Sequence, residues 1–136
     1  MTYASETWTL SKKMENKLKV AQHNMERSML NITLKDKKTN HWIREQTRGQ
    51  DIIHIIKLKK WSWAGHISRI QDQRWTTEIT TWTPRDGGRS QGKPLKRWRD
   101  EIDTYTGTVN WQQMAQNRQQ WRSHAEAFIQ QWIELR

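Results

Sequence analysis

Trp82 and Trp98 stand on either side of a basic tract. Between positions 83 and 99 there are six cations, Arg85, Arg89, Lys93, Lys96, Arg97 and Arg99, against one acid, Asp86. Indoles beside Lys and Arg have the chemistry of single-strand binding. A base stacked on an aromatic ring contributes about 1–3 kcal/mol, and each neutralised phosphate releases condensed counterions. Trp82 and Trp98 are therefore the stacking candidates, and the six cations are the phosphate candidates. Thr83-Pro84, Gly87-Gly88, Gly92 and Pro94 punctuate residues 83–94 as a linker. Within it, Gly92-Lys93-Pro94 is similar to the Gly-Arg-Pro heart of minor-groove hooks, with Lys in place of the central Arg. Three readings stand for this tract: phosphate binding without sequence preference, minor-groove insertion, and an inert linker. A second set of cations, Lys12, Lys13, Lys17 and Lys19, lies off the apolar stripe of an amphipathic segment. It is either a solvated face or another nucleic-acid surface.

Other chemistries have less support. His23, His41, His54, His66 and His124 are scattered, with no pair at i, i+3 or i+4, so a histidine metal site is not expected. Asp100, Glu101 and Asp103 suit a helix start, or partners for Arg97 and Arg99, better than a metal site. His66, after Gly65, either donates to a phosphate or closes a local hydrogen bond. No nucleophile elbow or phosphate-binding glycine loop is present. The expectation is a chain that is not an enzyme on its own, with no catalytic residue, metal, cofactor or small-molecule substrate.

Composition points the same way. Lys and Arg number 24 against 14 Asp and Glu, giving a net charge of +10, which favours RNA or DNA as partner. No stretch approaches the roughly 18 apolar residues of a membrane span, and no apolar leader is visible. The expected location is intracellular, nuclear or cytoplasmic, without a membrane partner. Leu, Ile, Val and Phe make up only 22 of 136 residues. That falls under the roughly 20% that flags disorder in a highly charged chain. Ten tryptophans offset part of the deficit, because each large aromatic ring buries roughly 150–250 Å². Small helical cores held by tryptophan follow.

The elements that would position these residues are mainly α. Residues 1–10 read as a strand or extended arm. A helix over 11–33, with Ser11 as N-cap, carries the stripe Met14, Leu18, Ala21, Met25, Met29 and Ile32. Thr39 or Asn40 caps a short helix over 41–48. Gln50-Asp51 opens a helix over 51–70, the densest apolar stretch and the expected core. That order allows a helix-turn-helix likeness, but a plain helical bundle is the better reading. Residues 75–82 have helical spacing at Trp75, Ile79 and Trp82, although their threonines favour a strand. Leu95, Trp98 and Ile102 mark another short helix. Gly107 breaks the chain, and Asn110 caps a helix over 111–135. On that helix Trp111, Met114, Trp121, Ala125, Phe128, Trp132 and Leu135 form one seam, interrupted by Arg118. The seam packs onto 51–70, or onto a partner or a second copy. The division is 1–74 as a thumb-like helical bundle, 75–94 as linker segment and basic loop, and 95–136 as a C-terminal helical region.

A resemblance covers nearly the whole chain. It runs through Thr2-Tyr3-Ala4-Ser5-Glu6-Thr7-Trp8, Met25-Glu26-Arg27-Ser28-Met29-Leu30, Trp61-Ser62-Trp63-Ala64-Gly65-His66, and Trp82-Thr83-Pro84-Arg85-Asp86-Gly87. It continues through Gly92-Lys93-Pro94-Leu95-Lys96-Arg97-Trp98-Arg99, Asn110-Trp111, Arg118-Gln119-Gln120-Trp121 and Gln130-Gln131-Trp132. In these residues the chain resembles the C-terminal, post-palm region of the endonuclease–reverse transcriptases of non-LTR (LINE-type, RTE-like) retrotransposons. The resemblance implies a thumb and C-terminal extension that grips template RNA or primer–template duplex. It places the polymerase's aspartates upstream and makes the palm of a parent polyprotein a further partner. An assembly module and a retroelement relic are the alternatives.

Overall fold

The computed structural model describes residues 2–72, 74–82, 96–108 and 110–134. The basic loop, with Arg85, Arg89 and Lys93, and the end of the C-terminal seam, Leu135, lie outside the described residues. The fold is a small, mainly α helical bundle, with no strand among the described residues. The lead-in, read as a strand or extended arm, instead holds a single 3-10 turn, Ser5–Thr7.

The first three helices start where side chains satisfy the free backbone N–H groups of a first turn. In α1 (Lys12–Met29), Ser11 accepts from the Met14 amide. In α2 (Asn40–Thr47), Thr39 accepts from Trp42. In α3 (Ile52–Ser68), Asp51 accepts from Ile53 and His54. After α3 come α4 (Trp75–Thr81), α5 (Asp100–Thr106), α6 (Trp111–Gln116), α7 (Arg118–Ser123) and α8 (Ala125–Glu134). Gly107 ends α5 at φ 66°, a left-handed conformation that favours glycine.

α3 is the hub. It packs against the Ser5–Thr7 turn, α1, α4, α6, α7 and α8. Its first half contributes Ile52, Ile53 and Ile56 to an aliphatic cluster with Leu10, flanked by Trp8 and Leu18. Its second half contributes Trp61 and Ala64 to a larger cluster with Ile102, Trp111, Ala115, Trp121, Phe128 and Ile129. The C-terminal seam is therefore used within the chain, on α3.

Two further expectations need correction. The α1 stripe is not its buried face: Met14, Met25 and Met29 are exposed, while Gln22 and Glu26 are buried. The reason is polar. Gln22 Nε2 donates to Glu26 (2.8 Å) and to the Gln50 carbonyl (2.7 Å), and Gln22 Oε1 accepts from the Ile52 amide (2.9 Å). α1 thus turns inward the side chain that completes the start of α3. The second correction concerns 111–135, which is three short helices instead of one long one. Asn117 adopts extended backbone at ψ 96° and caps α7 by accepting from the Gln120 amide at 3.1 Å. The breaks bring Trp111, Trp121 and Phe128 to a single cluster. Asn110 precedes α6 without a side-chain cap bond.

Candidate nucleic-acid interface

The segment Trp61-Ser62-Trp63-Ala64-Gly65-His66 builds the site. Trp61 and Trp121 stack at 3.8 Å between centroids, with planes 2° apart. Each indole N–H donates to the other residue's carbonyl, at 2.8 and 2.9 Å. Such pairing satisfies two buried donors while burying two large rings. Gly65 permits it, because a Cβ there would lie 2.4 Å from Trp121 Nε1. Trp63, two residues on from Trp61, points elsewhere and meets Trp98 edge-on at 5.2 Å.

Trp63 forms a wall common to two grooves. The first, about 560 Å³, brings together Trp63, Ile79, Trp82, Arg97, Trp98 and Arg99, with threonines between them. Four of the candidates from sequence thus meet in one place: Trp82, Trp98, Arg97 and Arg99. Trp82 is 68% exposed, so its ring is open to a stacking partner. Trp98 is half-buried and also a packing residue. Its indole donates to the Glu6 carbonyl at 2.7 Å, and the Lys60 ammonium lies 5.2 Å from its ring. Arg99 is held by Asp103 at 2.9 Å. The Arg97 amide donates to Asp100 at 2.8 Å.

Other candidates lie elsewhere. Lys12, Lys13 and Lys17 are exposed on α1, and Lys13 and Lys17 border a shallow depression with Val20 and Ala21. Neither these lysines nor Lys19 lines the aromatic groove. Lys96 is itself exposed but reaches back to the bundle, where its Nζ donates to Glu101 and to the Leu10 carbonyl, the latter at 3.1 Å.

Lys96 thereby joins a buried ionic cluster that sequence reasoning missed. Lys57 and Lys60, both 1% exposed, hold the two oxygens of Glu101, itself 1% exposed. Glu15 stands 3.6 Å from Lys57, and the Trp132 ring lies 5.4 Å from Lys57 and 5.3 Å from Lys96. Burial alone would raise the Glu101 carboxyl, but Lys60 and Lys57, with hydrogen bonds from Lys57 and Lys96, hold it down at about 2. Burial, with Lys57 and Lys96 adding to it, lowers Lys60 to about 8 against the pull of Glu101. The cluster ties α3 to α5 and so fixes the base from which Trp98 reaches the groove.

The second groove, about 740 Å³, shares Trp63 with the first. Lys59, His66, Arg69, Arg118 and Arg122 line it, with Trp61 and Trp121 at its base and Glu6 as the one carboxylate. None of the three arginines was a sequence candidate. The visible signal was Arg118, the one charged residue interrupting the C-terminal apolar seam.

No family model matches this chain, and no solved structure matches it. It is similar to a putative uncharacterized transposon-derived protein of Caenorhabditis elegans, at 34% identity over 97 residues, 68% of this chain. The match takes in 35% of that relative's length. That likeness suggests a transposon-related origin for this chain.

Proposed function

We propose that this chain is a non-catalytic nucleic-acid-binding module, corresponding to the thumb and C-terminal region of a non-LTR, RTE-like retrotransposon reverse transcriptase. In that role it grips template RNA or the primer–template duplex beside a polymerase carried elsewhere. The supporting observation is the convergence of Trp82 and Trp98 with Arg97 and Arg99 around one groove. Such a groove offers ring faces to unpaired bases and cations to their phosphates, as single-strand binding requires. The transposon-related origin agrees with the resemblance carried by the sequence motifs. The test is Trp82→Ala. Single-stranded RNA should quench the wild-type tryptophan fluorescence, and the variant should bind it more weakly with less quenching. Equal affinity and equal quenching would remove Trp82 from the interface.

A second reading, an assembly module, draws on exposed apolar side chains. Met14, Met25 and Met29 on α1, and Trp75 and Ile79 on α4, face solvent. It predicts concentration-dependent association at high salt without affinity for nucleic acid.

A further inference from the structure

The arginine groove is built for an anion. Arg69, Arg118 and Arg122 lie close enough to repel one another. Desolvation, then Arg118 and Arg122, hold the Arg69 guanidinium below its ordinary value. Like charges gathered this way are unfavourable unless something negative joins them. Among the described residues no carboxylate pairs with any of the three. Arg69 is fixed by donating to the Ala115 carbonyl at 2.7 Å, and Arg118 and Arg122 are exposed on α7. Planar guanidinium groups match phosphate oxygens in a bidentate way that lysine does not. The groove floor is already rigid, because the interlocked Trp61–Trp121 pair forms it.

The two grooves adjoin. Trp63 lines both, and the consecutive residues Glu6 and Thr7 line one groove each. We infer that a single strand stacked in the aromatic groove continues past Trp63, and that Arg69, Arg118 and Arg122 clamp the phosphodiester backbone of its next nucleotides. This inference rests on the nucleic-acid reading proposed above. It assigns the binding face to one continuous track, with base stacking at one end and phosphate anchoring at the other.

The test compares two fluorescein-labelled oligouridylates, about 4 and about 12 nucleotides long, within the range of site sizes for single-strand binders. Wild type and the double variant Arg118→Gln/Arg122→Gln are titrated at several salt concentrations. Both side chains are exposed and make no buried contact, so the variant should keep its helical far-UV spectrum. Wild type should bind the longer RNA at least tenfold more tightly than the shorter one. The double variant should lose that advantage while keeping the wild-type affinity for the short RNA. Its salt slope on the long RNA should fall by about 1.4, since each single-strand phosphate contributes about 0.7. A folded double variant with unchanged affinity and slope on the long RNA overturns the arginine clamp but leaves the nucleic-acid reading standing. Wild type that binds neither RNA overturns both. So does wild type that binds only vesicles of acidic phospholipid.

Discussion

The two halves of α3 make their cores by different means. The first half packs the side chains of Ile52, Ile53 and Ile56 against Leu10, contacts made by shape and burial. The second half packs Trp61 against Trp121, Trp111 and Phe128, and adds hydrogen bonds from the two stacked indoles. Both candidate grooves lie beside the second half: Trp61 and Trp121 line one, Trp98 the other, and Trp63 both. A chain poor in aliphatic residues has thus used the same indoles for its main core and for the walls of its two grooves. Damage to the tryptophan half should therefore cost stability and binding together, whereas damage to the aliphatic half should cost stability only.

The largest expected effect follows removal of Glu101. Glu101→Ala strands Lys60 as a buried cation without its carboxylate and leaves Lys57 only Glu15 at 3.6 Å, and breaking a buried pair costs about 3–5 kcal/mol. Denaturant unfolding measures this loss, and a variant as stable as wild type would contradict the role given to the cluster. The same group sets an acid limit. Its folded value of about 2 lies below the ordinary 4.5, so the folded state holds its proton less tightly than the unfolded chain. The Glu101 contribution is complete above pH 4.5 and is lost as pH falls towards 2. Unfolding followed over that range should show stability falling with pH in wild type and a flatter dependence in Glu101→Ala.

Gly65→Val comes next. A Cβ at this position meets Trp121 at 2.4 Å, and overpacking of this kind costs about 1–3 kcal/mol. Because Trp121 also floors the arginine groove, the near-UV tryptophan spectrum and RNA affinity should change together. Trp82→Ala should leave stability unchanged, since the ring is exposed, and should weaken single-stranded RNA binding by about 1–3 kcal/mol. Ile56→Val, in the aliphatic half, should be smallest, at about 0.5–1.5 kcal/mol of stability. Its RNA affinity should match wild type; a loss there would mean that the two halves are not separate in function.

Helix starts were legible in the sequence because they are local: Ser11, Thr39 and Asp51 each cap within three residues of their own position. So was the pairing of the C-terminal seam with α3, since a stripe of Trp, Ala and Phe needs an apolar partner. The face of α1 was not legible. Periodicity tells which residues share a face, but not that a glutamine 30 positions before Ile52 will cap α3. Nothing local in the sequence marks Lys57 and Lys60 as buried, because their partner Glu101 lies 44 and 41 positions away. In the site, Trp82, Trp98, Arg97 and Arg99 were found by composition around a linker. Arg69 and Arg118 line one groove beside a break at Asn117 that the regular apolar spacing on either side does not show.

The central claim is that this basic, tryptophan-rich bundle binds nucleic acid. The most direct measurement is fluorescence anisotropy of labelled single-stranded RNA, single-stranded DNA and duplex of equal length, titrated with this protein at several salt concentrations. The account predicts binding that weakens steeply with salt, with tryptophan quenching on the single strands. No binding at low salt, by protein whose far-UV spectrum shows the helical fold, would contradict it.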